Sequence, residues 1–148
     1  MIKGEFRPLA KKELLKVPVF GWVAQGAAVI VDRSSGESRK KSMDMLKRTL
    51  AHGISLLIFA EGTQNRTKEA LQPFKDGAFR IAIDTEQPIL PLVILDAGPL
   101  MRPSTLLIHP GTIRIFVGEE IETKGLQDLQ ALKQKTVEQM KDIIAKNS

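Results

Sequence analysis

The 148-residue sequence predicts an α/β fold, a mixed sheet flanked by helices, and two observations carry that reading. Short apolar, β-branched runs recur along the chain, and the stretches between them carry helical spacing or helix start and stop signals. Two of the runs also end where an anion could be met, one at Arg33 and the other at the backbone N–H groups of the Glu61-Gly62-Thr63 turn. In α/β sheets ligands collect beyond the carboxyl ends of strands.

Taken in order, residues 6–10 read as a short strand, followed by a helix from about Lys12 that Pro18 interrupts. Residues 29–31 are a β-branched strand ending at Asp32-Arg33. Ser34 or Ser35 can cap the next helix, whose apolar face is Met43, Leu46 and Leu50 and whose stop is Gly53. Residues 54–59 form an apolar run that reads as a buried strand closing in the Glu61-Gly62-Thr63 turn. A loop with Pro73 leads to a helix over residues 77–84, and Pro88 precedes a strand at 89–95. Residues 98–111 read as a Pro-rich loop and 112–117 alternate as a strand does. In the tail, Leu126, Leu129, Leu132, Val137, Met140 and Ile144 fall on one helical face that belongs in a core. Residues 1–148 read as one domain, without internal repeats or a low-complexity linker.

Composition removes several classes of function. The absence of cysteine excludes disulfides, thiolate metal sites and cysteine nucleophiles, and two histidines leave no set for a histidine-rich metal centre. With no tyrosine and one tryptophan, Trp22, the chain lacks the aromatic platforms on which nucleic-acid bases stack. The net charge is uneven: +6 over residues 1–50 and −1 over residues 51–148. Lys3, Arg7, Lys11, Lys12 and Lys16 precede the apolar region 17–31, an arrangement that suits an anionic membrane surface and equally a solvated basic face. That region is broken by Pro18, two glycines and Gln25, so it falls short of the ~18 apolar residues of a spanning helix. The first residues lack the apolar stretch of a signal peptide, and the expected location is the cytoplasm, peripheral on a membrane face.

Three constellations sit at strand ends. Arg33 follows an apolar strand; its planar guanidinium can grip a phosphate bidentately, or pair on the surface with Asp32 or Glu37. The Glu61-Gly62-Thr63 turn offers backbone N–H groups to a phosphate or hydroxyl, or is an ordinary turn. Phe74-Lys75-Asp76-Gly77 brings Lys75 as a second cation.

In order and spacing the run resembles the 1-acyl-glycerol-3-phosphate O-acyltransferase (lysophosphatidic acid acyltransferase) family over roughly residues 7–120. Gly26 and Arg33 match that family's second block, Phe59, Glu61, Gly62 and Thr63 its third, and Pro91 the proline inside its fourth. Residues 11–22 look like the approach to the second block. Ala60 and Gln64 stand where the family has proline and arginine, with Arg66 near enough to supply a charge.

The resemblance implies acyl transfer from acyl-CoA or acyl-carrier protein to a lysophosphatidate-like acceptor, giving phosphatidate. It also implies that Arg33, Glu61, Gly62, Thr63 and Lys75 bind the acceptor's glycerol phosphate. The nucleophile is then the substrate hydroxyl, and no metal or resident cofactor is required. The family's first block is a His and an Asp four intervening residues apart, the pair that removes the hydroxyl proton. These 148 residues contain no such pair, so its expected place is before Met1 and no catalytic residue is assigned. His52 precedes the 54–59 strand, ~20 Å of strand rise from Glu61, and belongs with the carbonyls of a helix end. His109 lies in the Pro-rich loop with no Asp placed to orient it, and the sequon Asn65-Arg66-Thr67 is read as incidental. Two expectations result: a piece of an acyltransferase whose N-terminal element is missing, or a non-catalytic membrane-surface binder of lipid or phosphate.

Overall fold

The computed structural model describes residues 4–16, 20–32, 34–63, 65, 67, 69–100 and 109–147. Arg33, Gln64, Arg66 and residues 101–108 of the expected Pro-rich loop lie outside this set. The chain divides into two compact units, Met1–Ala60 and Glu61–Ser148, each with its own sheet.

In the first unit, β1 (Phe6–Lys11) runs between β2 (Val29–Val31) and β3 (Ser55–Leu57), giving the order β2-β1-β3. Both pairings are parallel, with Leu9 opposite Val29 and Phe6 opposite Ser55. Parallel neighbours need crossover connections, and helices supply them. The link from β1 to β2 contains a 3₁₀ turn, Lys12–Lys16, and α1 (Phe20–Ala27); that from β2 to β3 contains α2 (Gly36–Ala51). Ala10, Val29 and Val31 are buried, as is Leu46 of α2, between half-buried Met43 and Leu50. Ser35 caps α2, its Oγ accepting from the Ser38 N–H at 3.0 Å, and the Gly53 N–H closes it on Leu50 O at 2.9 Å.

Two expectations change here. The helix expected from Lys12 is a 3₁₀ turn. Five residues ahead of the Val17-Pro18 step hold little more than one turn, the length at which this tighter geometry is common. The buried strand expected over 54–59 contracts to Ser55–Leu57, half-exposed, and Phe59 is 60% exposed. Among the described strands β3 pairs with β1 alone, and its ladder ends at Leu57 opposite Pro8.

In the second unit, β4 (Leu92–Leu95) and β5 (Arg114–Val117) pair antiparallel from Leu92–Val117 to Leu95–Arg114, with a further bridge between Ile89 and Ile121. The strand expected over 89–95 is split at Pro91, whose carbonyl accepts from the Gly118 N–H at 2.8 Å. α3 (Gly77–Thr85) and α5 (Leu129–Asn147) pack on each other, and α5 also covers β4. A short α4 (Ala97–Leu100) opens the segment read as a loop. Phe74, Phe79, Ile81, Val93, Ile121 and Leu132 form the core, the two phenyl rings stacked at 6.1 Å. Thr123 is fully buried, its hydroxyl shared between the carbonyls of Gln87 at 2.9 Å and Ala82 at 3.3 Å. The tail stripe holds from Leu129 to Ile144, but Leu126 precedes the helix and is exposed. A parallel sheet in one unit and an antiparallel pair in the other make the expected mixed α/β class.

Candidate functional site

The Glu61-Gly62-Thr63 turn opens the second unit. Gly62 has φ +74°, a left-handed conformation that glycine adopts without penalty. A Cβ on Gly62 would sit 3.3 Å from Lys75 Cγ, so the lysine stem lies directly on the glycine. The turn and Lys75, twelve residues further on, are therefore neighbours, as a shared anion site requires. Glu61 Oε2 accepts from the Gln72 N–H at 3.0 Å, fastening the start of the loop to its return. Phe74, buried and stacked on Phe79, anchors that return in the core and leaves Lys75 exposed beside it.

Between these points Asn65 organises the loop. Its Oδ1 accepts from the Thr67 N–H at 2.9 Å and hydroxyl at 2.8 Å, and its Nδ2 donates to Glu69 O at 2.9 Å. An amide so engaged has a structural role in the loop. Glu61 is similarly occupied. A carboxylate is an acceptor and repels a phosphate, so the donors this turn offers are backbone N–H groups, the Thr63 hydroxyl and the Lys75 ammonium.

Arg33 lies outside the described residues; its chain neighbours Asp32 and Ser34 lie within them. Asp32 is clamped to α2: its N–H donates to Ser42 Oγ at 3.0 Å, and that hydroxyl donates back to Asp32 O at 3.2 Å. The Asp32 carboxylate accepts from the Ser34 N–H at 2.9 Å and Lys12 Nζ at 3.0 Å. Hydrogen bonds from Ser34, then from Lys12, hold this carboxyl far below the usual carboxylate range. Glu37, the other acid considered for Arg33, pairs with Lys41 at 2.7 Å.

A cleft of about 260 Å³ lies within the first unit, where β2 ends at Asp32. Ile30 and Met45 give it an apolar wall, Ser38 and Ser42 hydroxyls, and Lys12 and Lys41 two ammonium groups. Sequence reasoning placed Lys12 in a basic face without assigning it to a site. The signal was available: Lys12 directly follows the residues that form β1 and so stands at a strand's carboxyl end.

Neither histidine is arranged as a base. His52, just past α2, places Nδ1 2.7 Å from Arg48 O, so the Nδ1-protonated ring donates to that carbonyl, as expected of a helix-end histidine. His109 is exposed, and its backbone N–H bonds Leu100 O at 2.8 Å.

Residues 2–95 match the Acyltransferase family. Over 139 residues the chain is 33% identical to an uncharacterized acyltransferase of Schizosaccharomyces pombe, covering 92% of this chain and 47% of that protein. It is 31% identical to a 1-acyl-sn-glycerol-3-phosphate acyltransferase of Pseudomonas aeruginosa, covering 84% of this chain and 49% of the relative. The chain thus spans about half the length of these curated relatives. Among solved structures, the 1-acyl-sn-glycerophosphate (LPA) acyltransferase PlsC of Thermotoga maritima superposes with a TM-score of 0.76 at 22% identity. That match covers 95% of this chain and 56% of the other and establishes likeness of fold.

Proposed function

The chain belongs to the acyltransferase family, and from that premise we propose that it serves acyl transfer from acyl-CoA or acyl-carrier protein to 1-acyl-glycerol 3-phosphate, yielding phosphatidate for phospholipid synthesis. The observation that carries the reading is the close approach of the Lys75 stem to Gly62, which brings a cation to the turn. In the reaction the acceptor hydroxyl attacks the thioester carbonyl. A carbon–oxygen bond forms, the carbon–sulfur bond breaks, the hydroxyl proton passes to a base and the thiol leaves protonated. This chain's share is to hold the acceptor's glycerol phosphate. The Gly62 and Thr63 N–H groups and Lys75 donate to the phosphate, and Glu61 braces the turn by holding Gln72. Arg33, in the first unit, is assigned to the acceptor on its match to the family's second block alone.

Relatives named for 1-acyl-sn-glycerol-3-phosphate acylation support the choice of acceptor. Acceptor and product are both membrane lipids, so the reaction belongs at a bilayer surface. The +6 charge of residues 1–60 favours an anionic one, such as the cytoplasmic leaflet.

The test is binding of soluble glycerol 3-phosphate to the chain by calorimetry. Arg33→Ala and Lys75→Ala are each expected to weaken it by roughly tenfold or more, as loss of a charge-assisted hydrogen bond does, while acyl-CoA binding is unchanged. Equal affinity in Arg33→Ala would sink its assignment, and equal affinity in both variants would sink the site.

A further inference from the structure

We propose that α1 is the element through which this chain touches the membrane, its Trp22–Val23 face settling into the interface of an anionic bilayer. The starting point is an exposure that a water-facing helix does not explain. Trp22 is 81% exposed and Val23 62%, side by side on a helix, Phe20–Ala27, that contains no charged residue. Tryptophan pairs a large apolar body with one N–H donor and is the residue enriched where membrane meets water.

The local packing fixes which side of α1 faces outward. Gly21 is buried, and a Cβ there would lie 2.5 Å from Leu15 O, so the 3₁₀ turn Lys12–Lys16 presses its backbone onto the helix at this point. The next two residues, Trp22 and Val23, are thereby turned away. The same 3₁₀ turn contributes a half-exposed Leu14 and exposed Lys12 and Lys16, so basic groups belong to the element that braces the apolar face. Eight residues rise only about 12 Å, and such a helix lies along a surface instead of crossing it.

Charge selects the occupant. Residues 1–60 carry a net +6, which complements an anionic lipid surface. A second apolar face exists on the β4–β5 pair, where Ile94, Ile113, Ile115 and Val117 are exposed, but residues 61–148 carry a net −1 and offer no such complement.

The inference rests on the bilayer-surface part of the proposed function and is independent of acyl transfer, because its test reads binding alone. Trp22 is the only tryptophan and the chain has no tyrosine, so intrinsic emission reports this helix. Titration of the full chain with phosphatidylcholine–phosphatidylglycerol vesicles is expected to shift Trp22 emission to the blue. Brominated acyl chains should then quench it, aqueous iodide should lose access, and salt should weaken the response. Phosphatidylcholine alone should respond weakly. Val23→Asp should lower partitioning roughly tenfold or more, the factor implied by withholding one aliphatic side chain from an apolar phase, with the circular dichroism spectrum unchanged. Trp22→Ala, followed by vesicle sedimentation, should show a loss of the same order.

Salt-sensitive vesicle binding with unmoved Trp22 emission would overturn the assignment to α1 and leave the bilayer reading standing. No binding at all would overturn both. A blue shift that grows with protein concentration in the absence of vesicles would assign the face to a second copy of the chain and overturn the proposal.

Discussion

The two units spend their apolar residues differently. The second unit buries Phe74, Phe79, Ile81, Val93, Ile121 and Leu132, and the four most enclosed large side chains, Phe79, Ile121, Leu132 and Thr123, all belong to it. In the first unit, burial among the described residues falls on the small or branched Ala10, Val29 and Val31 with Leu46, while the large apolar Trp22, Phe59 and Phe6 stand exposed. The first unit also carries the positive charge. The difference teaches that the unit with the better core is organised to hold a loop in place, whereas the thinner one keeps apolar and basic groups at its surface, where a ligand or a bilayer can reach them.

Core substitutions should separate the units most strongly. Phe79→Ala removes a buried ring stacked on Phe74 and is expected to cost about 3–5 kcal/mol. Val31→Ala removes far less buried volume and should cost about 2 kcal/mol. Urea denaturation gives both values, and hydrogen exchange shows which amides lose protection. Equal costs would mean that the first unit is packed as tightly as the second.

A smaller effect tests how the 3₁₀ turn meets α1. Gly21→Ala would place a methyl group 2.5 Å from Leu15 O, and relieving that clash with backbone is expected to cost about 1–3 kcal/mol. Gly26→Ala is the control, since nothing lies within 4 Å of its Cβ position. There helix propensity should make alanine neutral or mildly stabilising. If the two variants unfold together, the close approach at Gly21 is not what orients Trp22.

How much of this could be read beforehand follows from the range of the forces involved. The cap at Ser35, the stop at Gly53, the helix from Gly77 and the stripe from Leu129 to Ile144 are local or periodic features, and the sequence displays them. The 54–59 run misled because its apolar pattern does not say how many neighbours a strand will have. Among the described strands β3 has one, and its ladder ends opposite Pro8. Pro91 likewise shortens an apolar run that looks continuous. At the site, the motif picked out Glu61, Gly62, Thr63 and Lys75, but not that Lys75 lies on Gly62 or that Glu61 is held by Gln72. Those are contacts across a loop, and spacing alone does not fix them.

Acid should weaken both units through carboxylates held below their ordinary values: Asp32 by Ser34 and then Lys12, Asp76 by Lys133, and Asp96 by Arg114. A depressed folded value means that the stabilisation is fully present above the unfolded pKa of about 4 and is lost as pH falls through the folded values. The denaturation midpoint should therefore be flat from about pH 7 to 5 and fall below about 4. Asp32→Asn should flatten that fall for amides of the first unit and leave those of the second unchanged. These groups are solvent-accessible, so the effect should be modest and shrink with salt. A midpoint that rises below pH 4 would contradict the sign.

The finest contrast is between two polar side chains and should differ in sign. Ser42, buried on α2, both accepts from and donates to the Asp32 backbone, so its polarity is fully used. Ser42→Ala leaves the Asp32 N–H without that partner and is expected to cost about 1–2 kcal/mol. Gln139 on α5 presents a buried Oε1 with no hydrogen-bond partner among the described residues. Gln139→Met keeps the length of the side chain and removes the orphaned acceptor, so the change should be neutral or a gain of about 1 kcal/mol. Denaturation midpoints of the two variants decide it. If Gln139→Met destabilises as Ser42→Ala does, the glutamine is satisfied in solution, and the contrast between these two side chains disappears.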